Sequence, residues 1–207
     1  MLVWGAGTND AVGRDIGEFA LDFGSPGAWV ATGISDVGAL WVRSTTGTSQ
    51  GAYAGGLPPM SSPSAGNGVA LFDSDYLDNN GVQGAFGTGP APSPQSAVLV
   101  SPSFDLTGQQ GATIFFARLQ LFYRNFDITE LSLGFSTDGG GTWDDFSLLQ
   151  GVGTNQPFGT ASIDVMLPGV LDGVTDLTNC QLRLTFVGDY YFAMVDDIAL
   201  WSNIPPP

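Results

Sequence analysis

The alternation of apolar and polar residues predicts β-strands along most of the chain. In segment 130–136, Leu131, Leu133 and Phe135 alternate with small or polar residues, which is the period of a half-buried strand. Segments 112–123 and 181–187 repeat this alternation, and segment 190–201 predicts a final strand. Earlier candidate strands are 18–23, 29–34, 39–43, 69–72 and 97–100. Because no apolar stretch at helical spacing lasts three turns without Gly or Pro, the pattern predicts an all-β protein.

The segments between these strands are rich in turn-forming residues, since the chain has 30 glycines and 13 prolines. Two of them, 45–66 and 78–95, are long, and loops of that length in a compact domain are usually functional or mobile. Without an internal repeat or a shift in composition, we expect one domain over residues 1–204. Residues 1–15 would form an extended N-terminal segment and residues 205–207 the start of a proline linker. The predicted fold is an antiparallel β-sandwich of the jelly-roll kind.

The chain is strongly acidic, with 20 Asp and Glu residues, five arginines, no lysine, no histidine and a formal charge of −15. Such a surface repels nucleic acid and anionic membranes, so neither is expected as a partner, and no segment is long enough to insert into a bilayer. It suits a salty or calcium-rich exterior, which predicts a secreted or cell-surface protein whose export signal is not in this chain. The absence of histidine excludes Ser-His-Asp and Cys-His catalysis. The single cysteine, Cys180, excludes an intrachain disulfide.

Segment 136–143 has the S-x-D-x-G-x-T-W pattern of an Asp box. We interpret it as a structural turn, in which Asp138 accepts backbone hydrogen bonds, Gly140 takes a positive φ and Trp143 packs beneath. A glycosidase propeller would carry several such boxes, whereas this chain has one. The Asp144–Asp145 pair that follows is interpreted as solvated turn charge, because adjacent side chains on a strand diverge and cannot flank one glycosidic bond.

Two aspartates, Asp196 and Asp197, interrupt the apolar final strand, so one of them must point toward the core. A buried carboxylate is costly without a cationic partner, which leaves two interpretations: an ion pair with an arginine, or a calcium ion. Calcium prefers about six to eight hard oxygen ligands. The predicted calcium ligands are Glu18, Asp73, Asp75 and one of Asp196 and Asp197, together with backbone carbonyls.

Several stretches, taken in order, resemble the MAM-like jelly-roll domains described as choice-of-anchor J, which are related to cleaved-adhesin modules. These stretches are 17–19, Trp29, 39–41, 70–75, 99–106, 123–126, 136–143, 188–191 and 195–198. The resemblance implies a β-sandwich from a large exported bacterial surface protein, often stabilised by calcium and without enzyme activity of its own. It also implies a metal where the first and last strands meet.

The function predicted first is a non-catalytic, calcium-stabilised binding or adhesion module of an exported multidomain cell-surface protein. Its partners would be a glycan or a protein on another surface and the neighbouring domains of the same polypeptide. Candidate ligand-binding residues are Tyr123, Arg124 and Asn125, although for Arg124 the favoured interpretation is a structural role in neutralising a nearby acid. The alternatives are a structural subunit or spacer of a surface filament or virion, and a glycan-cleaving domain that uses two remote carboxylates.

Overall fold

The computed structural model describes residues 2–3, 14–15, 29–149 and 159–203. Its elements are strands, one six-residue helix and a short 3₁₀ turn at Ala65–Asn67. In chain order they are β1 (Leu2–Val3), β2 (Arg14–Asp15), β3 (Val30–Gly33), β4 (Val42–Ser44), β5 (Val69–Phe72), α1 (Ser74–Asn79), β6 (Gln95–Val100), β7 (Phe115–Arg124), β8 (Asp127–Ser136), β9 (Asp144–Ser147), β10 (Ala161–Met166), β11 (Gln181–Asp189) and β12 (Phe192–Ser202).

The strands form two antiparallel sheets. One has the order β10-β7-β12-β5-β4, with the short strands β1 and β2 also pairing with β12, and the other has the order β3-β6-β11-β8-β9. Successive strands repeatedly change sheet, as from β3 to β4, β5 to β6 and β11 to β12. This is an antiparallel β-sandwich of the jelly-roll kind, so the predicted fold class is confirmed.

Most predicted strands correspond to observed ones, but four strands were missed, β1, β2, β9 and β10, and one candidate cannot be compared. The candidate strand at 18–23 lies outside the described residues. Strand β10 was not predicted, although Ala161, Ile163 and Val165 alternate with exposed residues, and its inner face is largely half-buried. The interpretation of Asp144–Asp145 as turn charge is wrong, because both residues lie in β9 and the Asp145 carboxylate pairs with Arg183 at 2.7 Å.

The main core lies between the sheets and is built from the inward-facing residues of both. The Phe72 ring stacks on Phe186 with centroids 4.2 Å apart and also contacts Trp41 at 5.6 Å. All three side chains are almost completely buried. Cys180 is also fully buried, and burial raises the pKa of its thiol to about 12, so it acts as a small apolar core residue.

A second apolar cluster lies on the outer face of the larger sheet. Its sheet residues, which include Phe122, Phe192 and Met194, are covered by residues from the loop 45–68, among them Met60. Strand β5 is consequently buried on both faces, although a strand with one face in solvent would alternate. The long loop is therefore part of the packed structure, and its course fixes where its remaining residues lie.

Candidate functional site

One end of the sandwich brings together four connections that are distant in the sequence. Strand β7 ends at Arg124, opposite the start of β12 at Phe192, and Phe72 at the end of β5 pairs with Ala193. The β7–β8 turn, the β11–β12 turn, α1 and the two long loops on either side of β5 and α1 therefore meet at this end. Side chains carried by these segments surround one pocket.

The pocket has a volume of about 420 Å³. Five of its lining residues are aromatic and one is acidic: Tyr53, Phe86, Phe126, Tyr190, Tyr191 and Asp75. Phe86 and Phe126 are 51% and 60% exposed, which is unusual for residues that bury readily in a core. Exposed rings grouped around a concavity are typical of a binding site.

The rings contact one another in defined orientations. The Tyr53 and Phe86 planes are nearly parallel, with centroids 6.1 Å apart. Tyr190 meets Phe86 edge-on at 5.5 Å and Phe126 edge-on at 5.8 Å. These are favourable geometries for aromatic pairs, so the rings support one another before any ligand is present.

Carboxylates around α1 hold the first of the two long loops in place. Asp73 accepts hydrogen bonds from the Ser49 hydroxyl at 2.7 Å and from the Gln50 backbone N–H at 2.6 Å. Asp75 accepts the Tyr53 backbone N–H at 2.9 Å. Because Tyr53 carries one wall of the pocket, the Asp75 carboxylate fixes that wall directly.

A third carboxylate, Asp78, holds the second long loop. Its Oδ1 accepts the backbone N–H groups of Gly87 at 3.1 Å and Ser93 at 2.9 Å, and also the Ser93 hydroxyl at 3.1 Å. The residue before Gly87 is Phe86. The Tyr53 hydroxyl accepts the Gly84 N–H at 3.1 Å, which joins the two loops across the pocket.

The connection between β11 and β12 consists of Tyr190 and Tyr191, and both have positive φ values, 56° and 58°. Non-glycine residues with φ in this left-handed region are uncommon, and bulky residues there are strained by about 1–2 kcal/mol each. Two residues are all that join the sheets here, and the Asp75 N–H donates to the Tyr191 carbonyl at 2.8 Å. Strain of this kind is concentrated at ligand-binding sites.

Burial raises the pKa of several carboxyl groups at this end. It raises that of Asp73 to about 6, although the bonds from Ser49 and Gln50 act in the opposite direction. It raises the pKa of Asp75 as well, with a smaller contribution from the charge of Asp78. Ionised carboxylates are therefore held here by hydrogen bonds that only partly offset their desolvation.

The predicted calcium ligands do not come together in one coordination sphere. Asp73 follows β5 beside the start of β12, whereas Asp196 lies beyond the Ala70–Val195 pair near the other end of β5. Four residues of strand separate these positions by roughly 13 Å, while calcium–oxygen distances are about 2.3–2.6 Å. Asp75 accepts hydrogen bonds from Tyr53 and Asn79. Glu18 lies outside the described residues, and within those ranges no three acidic or cysteine side chains form a metal-binding group.

Asp196 and Asp197 form a separate small cluster with two serines. The Asp196 Oδ2 accepts the hydroxyls of Ser62 and Ser64, and Asp197 accepts the Ser64 hydroxyl at 2.6 Å. Burial raises the pKa of Asp196 to about 6, and the hydrogen bond from Ser62 opposes this increase only in part. Its other oxygen, Oδ1, is buried and has no hydrogen-bond partner in the described part of the chain. Two carboxylates and two hydroxyls are oxygen donors that suit calcium.

The alternative to calcium at these two aspartates was an ion pair with an arginine, and no such pair is seen there among the described residues. In the described ranges the ion pairs are Arg118–Asp164 and Arg183–Asp145, and both lie elsewhere. Calcium binding at Asp196 and Asp197, which lie in β12 near the start of β5, therefore stays a prediction. The protein ligands at that position are fewer than expected.

Of the predicted ligand-binding residues, one lies at the pocket and two have structural positions. Tyr123 is 2% exposed and belongs to the core between the sheets, because its side chain lies on the inward face of β7. Asn125 accepts the Ile128 N–H at 2.7 Å and so closes the β7–β8 turn. Arg124 lies over the Tyr191 ring at 5.2 Å, beside the pocket. The sequence signal that was missed is their neighbour Phe126, an exposed ring in a turn.

The Asp box forms the turn that its pattern describes. Asp138 accepts the Thr142 backbone N–H at 2.9 Å and the Thr142 hydroxyl at 2.8 Å, and these bonds lower its pKa to about 2. Gly140 has a φ of 88°. Trp143 donates to the Gly140 carbonyl at 3.1 Å and stacks on Arg183. The box lies beside β9 and contributes nothing to the pocket lining.

Comparison with known proteins gives structural similarity only. No protein-family profile and no curated protein matches the chain. Among solved structures, the chain is similar to TmCBM61 in complex with β-1,4-galactotriose, with 14% identity over 87% of this chain and 91% of that one, and a TM-score of 0.45.

Two further similar structures are an adhesin domain and a cellulose-binding domain. The K1 cleaved adhesin domain of Lys-gingipain from Porphyromonas gingivalis W83 has 13% identity over 86% of this chain and 99% of that one, with a TM-score of 0.36. The N-terminal cellulose-binding domain of Cellulomonas fimi β-1,4-glucanase C has 16% identity over 93% and 99%, with a TM-score of 0.33. The choice-of-anchor J resemblance stays a prediction, and identities of this size leave function to the chain's own residues. No helix among the described residues is long and apolar enough to cross a membrane.

The packing of loop 45–68 against α1 leads to a first prediction. A Cβ added at Gly51 would lie 2.4 Å from Asp75 Oδ2, whereas one added at Gly55 in the same loop would meet nothing within 4 Å. We expect Gly51→Ala to lower the free energy of unfolding by about 1–3 kcal/mol, because either the loop or the carboxylate must move. Urea denaturation followed by tryptophan fluorescence measures this, with Gly55→Ala as the matched control. Equal stability of the two variants would contradict the described loop packing.

The raised pKa of Asp73 leads to a second prediction. The pKa of Asp73 is about 6 in the folded state and 3.8 in the unfolded state, so the folded state binds this proton more tightly. The resulting contribution to folding stability is complete below pH 3.8 and is lost as the pH rises through about 6. In chelator, the free energy of unfolding should therefore increase on lowering the pH from about 7.5 to about 5, by on the order of 1–2 kcal/mol from this group. Asp73→Asn should reduce the increase. An unchanged pH dependence in that variant would show that Asp73 titrates normally.

Proposed function

We propose that this chain is a non-catalytic binding module that takes a carbohydrate group into its aromatic pocket. The observation that carries the proposal is the cluster of five aromatic rings around a pocket of about 420 Å³, two of them more than half exposed. A sugar ring combines an apolar C–H face, which packs on aromatic faces, with hydroxyl groups that hydrogen-bond to phenols. The pocket offers both kinds of surface.

Binding is favoured over cleavage by the acids that the pocket presents. Glycoside hydrolysis uses two carboxyl groups that flank the scissile bond. Asp75 is the acidic residue among those lining the pocket, and it is fully buried, with its oxygens engaged by Tyr53 and Asn79. The chain also has no histidine to act as a base. The proposal therefore assigns recognition, and no bond-breaking step, to this site.

The two most exposed rings test this proposal. Phe86→Ala and Phe126→Ala should each weaken binding at least about tenfold in affinity electrophoresis or calorimetry against a panel of soluble oligosaccharides and polysaccharides, because each removes a stacking face. Their stability should change little, since both rings are largely exposed.

Met166→Ala is the control, because Met166 is 55% exposed on β10, away from the pocket. Wild-type affinity in both phenylalanine variants would refute the pocket as the binding site. A protein that binds no glycan of the panel would refute the proposal as a whole.

We also propose that calcium stabilises the domain through Asp196 and Asp197, with Ser62 and Ser64 as further oxygen donors. Support comes from the buried, unpartnered Oδ1 of Asp196 and from the absence of an arginine beside it in the described part of the chain. A cation there would relieve the cost of a buried charge at Asp196 beside the half-buried charge of Asp197.

Calcium should therefore raise the free energy of unfolding by about 2.7 kcal/mol at a hundredfold excess over Kd. The melting temperature should accordingly be higher in calcium than in chelator. Asp196→Asn should melt identically in calcium and chelator, whereas Asp73→Asn should keep the calcium response because Asp73 lies at the other end of β5. A wild-type protein that melts identically in both conditions would contradict the calcium proposal.

A further inference from the structure

The walls of the pocket are suited to a positive charge as well as to a sugar ring. An aromatic face carries partial negative charge, and a cation within about 6 Å of a ring centroid is attracted to it. Here rings from four separate segments face one space, and Tyr190 touches two of the others edge-on. The Arg124 guanidinium already lies over the Tyr191 ring at 5.2 Å, which shows that these rings accept a cation in this setting.

The charges around the pocket are predominantly negative. Burial raises the pKa of the Tyr190 phenol above its usual range, and three nearby carboxylates raise it further. These carboxylates are Asp189, Asp78 and Asp75. The pKa of the Asp189 carboxyl group is also raised, by burial and by the charges of Asp78 and Asp127. Arg124 is one cation among these four acids, so the pocket keeps a negative potential.

Two carboxylate oxygens in this group have no hydrogen-bond partner in the described residues. They are Asp78 Oδ2 and Asp189 Oδ1, and Asp78 is only 2% exposed. A bare metal ion is a poor occupant, because the pocket is lined by aromatic rings and by Asp75, whose oxygens are already engaged by Tyr53 and Asn79. An organic ammonium group needs fewer oxygen ligands, since ring faces supply part of its stabilisation.

We propose that the carbohydrate group bound in this pocket is an amino sugar whose free amine is protonated. This inference rests on the proposed carbohydrate-binding function and specifies its ligand. The sugar ring packs on the exposed phenylalanines, while its ammonium lies against Tyr190 within the field of Asp75, Asp78 and Asp189. Acidic sugars are excluded from the pocket by the same field.

The test compares two ligands with the same sugar backbone, one carrying protonated amines and the other neutral acetamides. A glucosamine trisaccharide and its fully N-acetylated counterpart are titrated into the whole chain by calorimetry at about pH 6, where the amine is protonated. We expect the charged trisaccharide to bind about tenfold more tightly. Raising the salt concentration from about 50 to about 500 mM should weaken its binding and leave that of the acetylated sugar unchanged.

A variant pair locates the effect on the protein. Asp189→Asn should reduce affinity for the charged trisaccharide about fivefold and leave affinity for the acetylated one unchanged. Asp172→Asn is the control, because Asp172 is exposed and follows β10 at the opposite end of the sandwich. Unchanged melting temperatures of both variants verify that the fold is intact.

The outcomes separate this inference from the proposed function. Equal affinity for the two trisaccharides, or binding of uncharged sugars alone, overturns the amino-sugar inference and leaves carbohydrate binding in place. If no sugar binds and a lysine-rich peptide binds with dependence on Asp189 and Phe86, both the inference and the carbohydrate proposal fail.

Discussion

Three carboxylates at one short helix determine where the two long loops of this protein lie. Asp73 and Asp75 accept hydrogen bonds from loop 45–68, and Asp78 accepts them from the loop that follows α1. Loops of this length have no regular structure of their own to fix them. The pocket depends on this arrangement, because the rings of Tyr53 and Phe86 are carried by the tethered segments.

The same arrangement explains how so acidic a chain tolerates buried charge. Five arginines cannot neutralise 20 acids, and the ion pairs seen in the described ranges are partly exposed and distant from the pocket. Backbone N–H groups and serine hydroxyls stabilise the buried carboxylates instead. These bonds only partly offset desolvation, which is why the pKa values of Asp73 and Asp196 rise to about 6. The outcome is a surface and a pocket that both keep their negative charge.

The strands were predictable from the sequence to the extent that each buries one face. Period-two alternation identified β8 and β11, and β5 was found because all four of its residues are apolar. Strand β10 alternates but was missed, since it is a short edge strand whose inner face is only partly buried, and β9 was missed because its two aspartates suggested a turn.

The pocket was beyond sequence reasoning for a different reason. Its residues come from four segments, and only the pairing of β12 with β5 and β7 brings these segments to one end. The register also separates Asp73 from Asp196, which the sequence had placed in one metal site. The two long loops recognised from their composition flank the pocket, but composition did not indicate which of their residues face it. Phe126 lay next to the residues selected and carried the exposed ring.

The two tyrosines that join β11 to β12 constrain how this protein can change over generations. Glycine and asparagine occupy the left-handed region more readily than tyrosine does, so the backbone at Tyr190 and Tyr191 tolerates replacements that remove a pocket wall. Neutral drift at this turn therefore runs toward a sandwich that folds well and lacks two walls of the pocket. The proposed binding function therefore predicts that related chains under selection for a ligand keep both rings, and the identity of these two residues would separate them from chains in which the pocket has been lost.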